Sequence, residues 1–117
     1  LLDAPCSGLG TLRRNPEIRW RLSRTDIKKC MDAQKLLLRS AAECVRPGGR
    51  LVYSVCTGAS EENEIVIGDF LRNQTDFQIA RPTDIPLKLV DECGFLRTSP
   101  HLQGMDGFFG ALLVRTA

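Results

Sequence analysis

Two cysteines carry the most suggestive chemistry in this 117-residue chain. Cys6 follows Leu2-Asp3-Ala4-Pro5 and Cys56 follows Tyr53-Ser54-Val55, so each thiol comes just after a short apolar run. A thiolate is strongly nucleophilic and is also a competent leaving group, so two thiols brought to one place suit either covalent catalysis or a redox couple. The five cysteines, at 6, 30, 44, 56 and 93, show no C-x-x-C spacing. That argues against a thiol oxidoreductase and a zinc knuckle, and the odd count argues against a disulfide framework.

Other side chains admit a chemical and a structural reading. Asp3 can accept hydrogen bonds from a ligand, or it can cap its own loop through the backbone N–H of Ser7 or Gly8. Glu61, Glu62 and Glu64 precede an apolar helical pattern and read as complements to the positive end of its dipole rather than as catalytic carboxylates. His101, the sole histidine, reads as a pocket-wall or packing residue rather than a base. Arg13, Arg14, Arg19 and Trp20 could hold phosphates and stack a base. Between residues 13 and 29, seven basic side chains face two acidic ones, a net +5. Such a surface suits a polyanion, and a solvated loop would have the same composition.

These residues need elements to position them. Between the two cysteines, Ile27, Cys30, Met31, Leu37, Leu38, Ala41 and Val45 recur at helical spacing, with Thr25 or Asp26 as N-cap and a Pro47-Gly48-Gly49 stop. Cys30 and Cys44 read as packing residues on that helix. The segment is therefore strand, helix, strand, the unit that pairs its two strands in parallel. Both cysteines then fall at the carboxyl edge of one sheet, where neighbouring strands are about 4.8 Å apart and open α/β sheets place their ligands.

Arg50–Ser54 is the second strand. A second helix is expected from about Ser60, as its cap, to Asn73, burying Ile65, Ile67, Phe70 and Leu71. Phe77–Ala80 reads as a third strand, the stretch from Pro82 to Gly94 as irregular, and Gly107–Arg115 as a buried strand. The last two strands are expected to pair antiparallel at one end of a mostly parallel sheet.

With 43% apolar and 26% charged residues, the composition fits one globular α/β unit with a modest core. No apolar run approaches the roughly 18 residues of a membrane span, and no signal-peptide pattern opens the chain. An intracellular, cytoplasmic location is the expectation. Leu1-Leu2-Asp3 reads as the end of a strand already under way, which suggests part of a longer protein.

Three segments, Asp3-Ala4-Pro5-Cys6-Ser7-Gly8-Leu9-Gly10-Thr11, Tyr53-Ser54-Val55-Cys56-Thr57 followed by Glu61-Glu62-Asn63-Glu64, and Asp106-Gly107-Phe108-Phe109, resemble in order and spacing three segments of the RNA cytosine-5 methyltransferases of the Fmu/Sun family. Arg13-Arg14-Asn15-Pro16-Glu17-Ile18-Arg19-Trp20 and Arg46-Pro47-Gly48-Gly49 resemble its intervening segments. Val55 stands where the family usually carries Thr.

The resemblance implies methylation of cytosine C5 in RNA, rRNA or tRNA, with S-adenosylmethionine as methyl donor. It implies Cys56 as the nucleophile that adds to C6, Cys6 as the thiol assisting product release, and Asp3 as a cofactor contact. From the residues alone the two thiols cannot be ranked. The resemblance further implies the C-terminal half of a Rossmann-like class I methyltransferase domain. The glycine-rich turn and acidic ribose-binding residue of the other half do not occur here, so these 117 residues alone are expected to bind S-adenosylmethionine poorly, to be inactive, and to self-associate through an exposed sheet edge. The competing expectation is a noncatalytic RNA-binding module that keeps the fold.

Overall fold

A computed structural model describes residues 1–116. Five strands form one sheet in the order β1-β2-β5-β3, with β4 sharing the edge of β5. In sequence these are β1 (Leu2–Asp3), β2 (Arg50–Val55), β3 (Phe77–Ala80), β4 (Leu96–Thr98) and β5 (Phe108–Arg115). The helices are α1 (Ile18–Arg21), α2 (Arg24–Glu43), α3 (Glu64–Asn73) and α4 (Pro100–Gln103). None among the described residues is long and apolar enough to cross a membrane.

β1 pairs parallel with β2, Leu2 opposite Tyr53 and Asp3 opposite Ser54, across the α2 connection. β5 runs antiparallel to β2, β3 and β4, so four strands point one way and β5 the other. The mixed α/β sheet is the one expected, but its reversed strand lies inside the sheet rather than at one end. Phe109, Ala111 and Leu113 bury one face of β5, and its backbone N–H and C=O groups pair with β2 along one edge and with β3 and β4 along the other, so a long apolar strand leaves no edge open.

α2 begins one turn earlier than its apolar stripe implies. Ser23 is the N-cap: its hydroxyl accepts from the Asp26 N–H at 3.2 Å while its own N–H donates to the Asp26 carboxylate at 2.9 Å. Asp26, expected as a cap, is the third residue of a reciprocal capping box. These bonds to Ser23 hold its carboxyl below the usual carboxylate range. At the other end, Gly48 adopts φ +77°, and its N–H donates to the Arg115 carbonyl at 2.7 Å, stitching the Pro-Gly-Gly turn to the end of β5.

The buried face of α2 is centred on Gln34, Leu38 and Ala42, and with α3 it covers one side of the sheet. Leu37, expected on that face, is 39% exposed, and Cys44 lies in solvent beyond the last turn. In α3 the buried residues are Val66, Ile67 and Phe70, while Ile65 points outward. Residues Ser60–Glu62 form a separate 3-10 turn with no side-chain cap, so the α-helical register starts at Glu64 and the inward face shifts by one residue. Leu96–His101, for which the sequence suggests no element, supplies β4 and the start of α4.

The assignment of faces is directly testable. Leu38→Ala should destabilise the protein by about 2–5 kcal/mol in a urea titration, as for a fully buried leucine. Leu36→Ala, at a position 62% exposed, should change it by less than about 0.5 kcal/mol.

Candidate active site

The β1·β2 register continues past the strands: the Ala4 N–H donates to the Ser54 carbonyl at 2.9 Å. Two residues further along each chain, the sulfurs of Cys6 and Cys56 lie 3.0 Å apart. Both cysteines are half-buried, within reach of solvent at the carboxyl edge of the sheet. Fifty residues of separation therefore close into one thiol pair, as expected.

Burial, and next the hydrogen bond with Cys56, push the Cys6 thiol up to about 12. Either sulfur can donate to the other across the 3.0 Å contact.

Three segments converge on this pair. The Gly10 N–H donates to the Cys56 carbonyl at 2.9 Å, and the Gly10 carbonyl accepts from the Gly107 N–H at 2.7 Å. A Cβ at Gly10 would fall 1.9 Å from the Gly107 carbonyl oxygen, so no side chain fits there. The loop after Cys6, the end of β2 and the start of β5 are thereby locked backbone to backbone.

Beneath them lies a buried carboxylate. Glu62 is wholly inaccessible and accepts from the Ser7 N–H at 2.8 Å, the Ser7 hydroxyl at 2.7 Å and the Gln34 side-chain amide at 3.1 Å. Gln34 also donates to the Pro5 carbonyl at 2.9 Å, and the Tyr53 hydroxyl donates to the Glu62 carbonyl at 2.7 Å. The expectation that Glu62 merely complements a helix dipole is corrected: it faces inward from the 3-10 turn and ties the Cys6 loop to the protein interior. Glu61 is exposed, as a dipole-complementing residue would be, and Glu64 pairs with Arg97. The sequence signal for Gln34 was present, since it stands at i+3 from Met31 and i−4 from Leu38, a polar residue inside an apolar stripe.

Asp3 is exposed at the end of β1. The loop-capping role is excluded for the Ser7 N–H, which Glu62 occupies. Arg13 and Arg14 approach Asp106 at 3.5 and 2.5 Å with their guanidiniums still about half exposed, and the Arg14 hydrogen bond holds the Asp106 carboxyl below its usual range. Arg19 lies over the Trp20 ring at 5.5 Å, and Trp20 is 83% exposed. These four residues therefore share the loop between Cys6 and α2, with Arg14 reaching the start of β5. His101 is exposed on α4, so the packing reading of it does not hold. A cleft of about 240 Å³ opens beside Thr57, walled by Gly58, Asn63, Thr98, Leu102 and Phe108, with the Asn63 Oδ1 buried and without a hydrogen-bond partner among the described residues.

A sheet of this strand order, with helices packed on one face and its reactive side chains at the carboxyl edge, is a Rossmann-like methyltransferase architecture. A crystal structure of the protein PH0851 superposes with a TM-score of 0.87 at 42% identity, covering 96% of this chain and 25% of that one. NSun6 from Pyrococcus horikoshii, solved with SFG, an S-adenosylmethionine analogue, superposes with a TM-score of 0.84 at 28% identity, covering 99% and 29%. The chain belongs to the 16S rRNA methyltransferase RsmB/F family, whose model matches residues 1–114. The probable ribosomal RNA small subunit methyltransferase B of Synechocystis is 42% identical, covering 97% of this chain, and ribosomal RNA small subunit methyltransferase B of Thermus thermophilus is 42% identical, covering 98%. This chain spans 26% and 28% of those two relatives, respectively.

The raised Cys6 thiol sets an alkylation profile. At pH 8, Cys6 should react with iodoacetamide at least about tenfold more slowly than a thiol of ordinary pKa, because its smaller thiolate fraction outweighs the greater nucleophilicity of a more basic thiolate, and the rate should climb with pH towards about 12. Peptide mapping by mass spectrometry after timed quenching reads it, and labelling of Cys6 as fast as the exposed Cys44 would contradict it.

Proposed function

We propose that this chain carries the thiol half of an RNA cytosine-5 methyltransferase, with Cys56 as nucleophile and Cys6 as the thiol that assists release. The observation that supports this reading most is the 3.0 Å contact between two half-buried sulfurs at the carboxyl edge of the sheet. C5 of cytosine is too electron-poor to attack an electrophilic methyl group unaided, so a nucleophile must first add at C6.

In this reading the Cys56 sulfur forms a bond to C6, and the electron pair of the C5–C6 double bond makes C5 nucleophilic. S-adenosylmethionine, when bound, supplies the electrophilic methyl group. Once C5 is methylated, a base removes the C5 proton, the C5–C6 double bond re-forms, and the pair in the S–C6 bond returns to Cys56 as thiolate. A Cys56 thiolate can only accept, so Cys6, 3.0 Å away, would donate its thiol proton to it, stabilise the departing thiolate and favour expulsion of the product over renewed attack.

Among the described residues, Asp3 fits a role toward the cofactor or the cytosine amino group. Its carboxylate is exposed at the carboxyl end of β1 and makes no side-chain hydrogen bond to another described residue. The RNA itself would be met by Arg19, Arg21, Arg24 and Lys28, all exposed, with Trp20 available for stacking. Ribosomal RNA is the favoured substrate because the family and its named relatives act on small-subunit rRNA.

Trapping with 5-azacytosine-containing RNA tests the assignment in the whole protein. Cys56→Ser should abolish both the covalent adduct and methylation. Cys6→Ser should keep the adduct and accumulate it on ordinary RNA. Absence of any adduct with the wild-type protein would overturn the reading in favour of a noncatalytic RNA binder.

A further inference from the structure

The residues immediately after the two cysteines, Ser7 and Thr57, are joined to each other and to Glu62. Their donors can be assigned by counting protons. Ser7 has one hydroxyl proton, and the 2.7 Å contact with the Glu62 carboxylate claims it. In the 3.2 Å contact between Ser7 Oγ and Thr57 Oγ1, Thr57 must therefore donate. Thr57 Oγ1 in turn accepts from the Ala59 N–H at 3.1 Å. The result is a one-directional chain, Ala59 N–H to Thr57 to Ser7 to Glu62, in which every hydroxyl both gives and accepts. Thr57 is 1% exposed and Glu62 is wholly buried, so both ends of the chain are shielded from water, with Ser7 half-buried between them.

We propose that Ser7, Thr57 and Glu62 form a clamp that fixes the spacing of the two sulfurs, with Glu62 as its terminal acceptor. They are positioning residues: none of them hydrogen-bonds to a thiol among the described residues, and each acts through the backbone beside a cysteine. The clamp adds side-chain bonds to the Gly10 backbone bonds in the stretch beyond the β1·β2 ladder, whose last pair is Asp3 and Ser54. Its consequence for product release rests on the reaction proposed above, whereas its effect on sulfur spacing does not.

Thr57→Val removes the hydroxyl at almost constant shape, Thr57→Ser restores it, and Ser7→Ala breaks the same chain from the other side. Two readouts are taken on the whole protein. In the first, diamide oxidises the pair: Cys56 adds to the diazene, Cys6 attacks the Cys56 sulfur, and two protons and two electrons pass to the diazene to give the hydrazine and a Cys6–Cys56 disulfide. Thr57→Val and Ser7→Ala should slow disulfide closure by about tenfold, the scale of one lost buried hydrogen bond, and Thr57→Ser should stay within about twofold of wild type. In the second, the same two variants should accumulate covalent adduct on ordinary RNA in the presence of S-adenosylmethionine.

Wild-type closure rates in both Thr57→Val and Ser7→Ala would overturn the clamp. Slowed closure in the variants, with no RNA adduct from any form of the protein, would uphold the clamp and sink the reaction. Normal closure in both variants, with adduct on 5-azacytosine RNA from wild type, would sink the clamp and uphold the reaction.

Discussion

The structure depends on a parallel pairing of only two residues, Leu2 and Asp3 against Tyr53 and Ser54. The placement of the two thiols follows from that register, because a slip of one residue would turn one sulfur to the opposite face of the sheet. So short a ladder is weak. A net contribution of about 0.5–1.5 kcal/mol per hydrogen bond hardly offsets the roughly 1–2 kcal/mol per residue needed to order the backbone. The remainder must come from side chains, and the Glu62 network supplies it by gripping Ser7 through two bonds and Pro5 through Gln34.

That solution carries its own tension. A carboxylate enclosed with neutral donors, and with no cation bonded to it among the described residues, is costly to desolvate, and it persists only where its oxygens are well supplied with N–H and O–H groups. Three donors meet that requirement at Glu62, and they come from two elements distant in sequence, the Cys6 loop and α2. The same bonds that make the burial tolerable are therefore the ones that draw the Cys6 loop onto the interior. Removing the carboxylate would leave those donors buried without partners, so stability and sulfur geometry are coupled at this residue.

Much of this arrangement was legible in the sequence. Apolar runs before Cys6 and Cys56, a helix between them and the Pro-Gly-Gly stop suffice to place both thiols at one sheet edge, and β2, β3 and β5 lie within a residue or so of their apolar runs. What escaped the sequence has identifiable physical causes. Ser23 rather than Thr25 or Asp26 caps α2 because a capping box is a reciprocal pair, and single-residue preference does not identify which member is which. Glu62 is indistinguishable in sequence from Glu61 and Glu64, because the 3-10 turn that rotates it inward has no distinctive composition. That same turn shifts the phase of α3, exposing Ile65 and burying Val66. The insertion of β5 between β2 and β3 is a long-range pairing choice, hinted at only by its apolar residues on both faces. Nothing near Arg13 and Arg14 in the sequence points to Asp106, the partner they share more than ninety residues away in the chain.

The central claim is that two sulfurs remote in sequence are held side by side and open to solvent. Phenylarsine oxide tests it most directly, because trivalent arsenic forms a stable cyclic adduct only with two adjacent thiols. Of the five cysteines, Cys6 and Cys56 together should disappear from a thiol titration on binding one equivalent, and either Cys6→Ser or Cys56→Ser should abolish tight binding. Failure of the reduced protein to bind, or binding that survives both substitutions, would contradict the account.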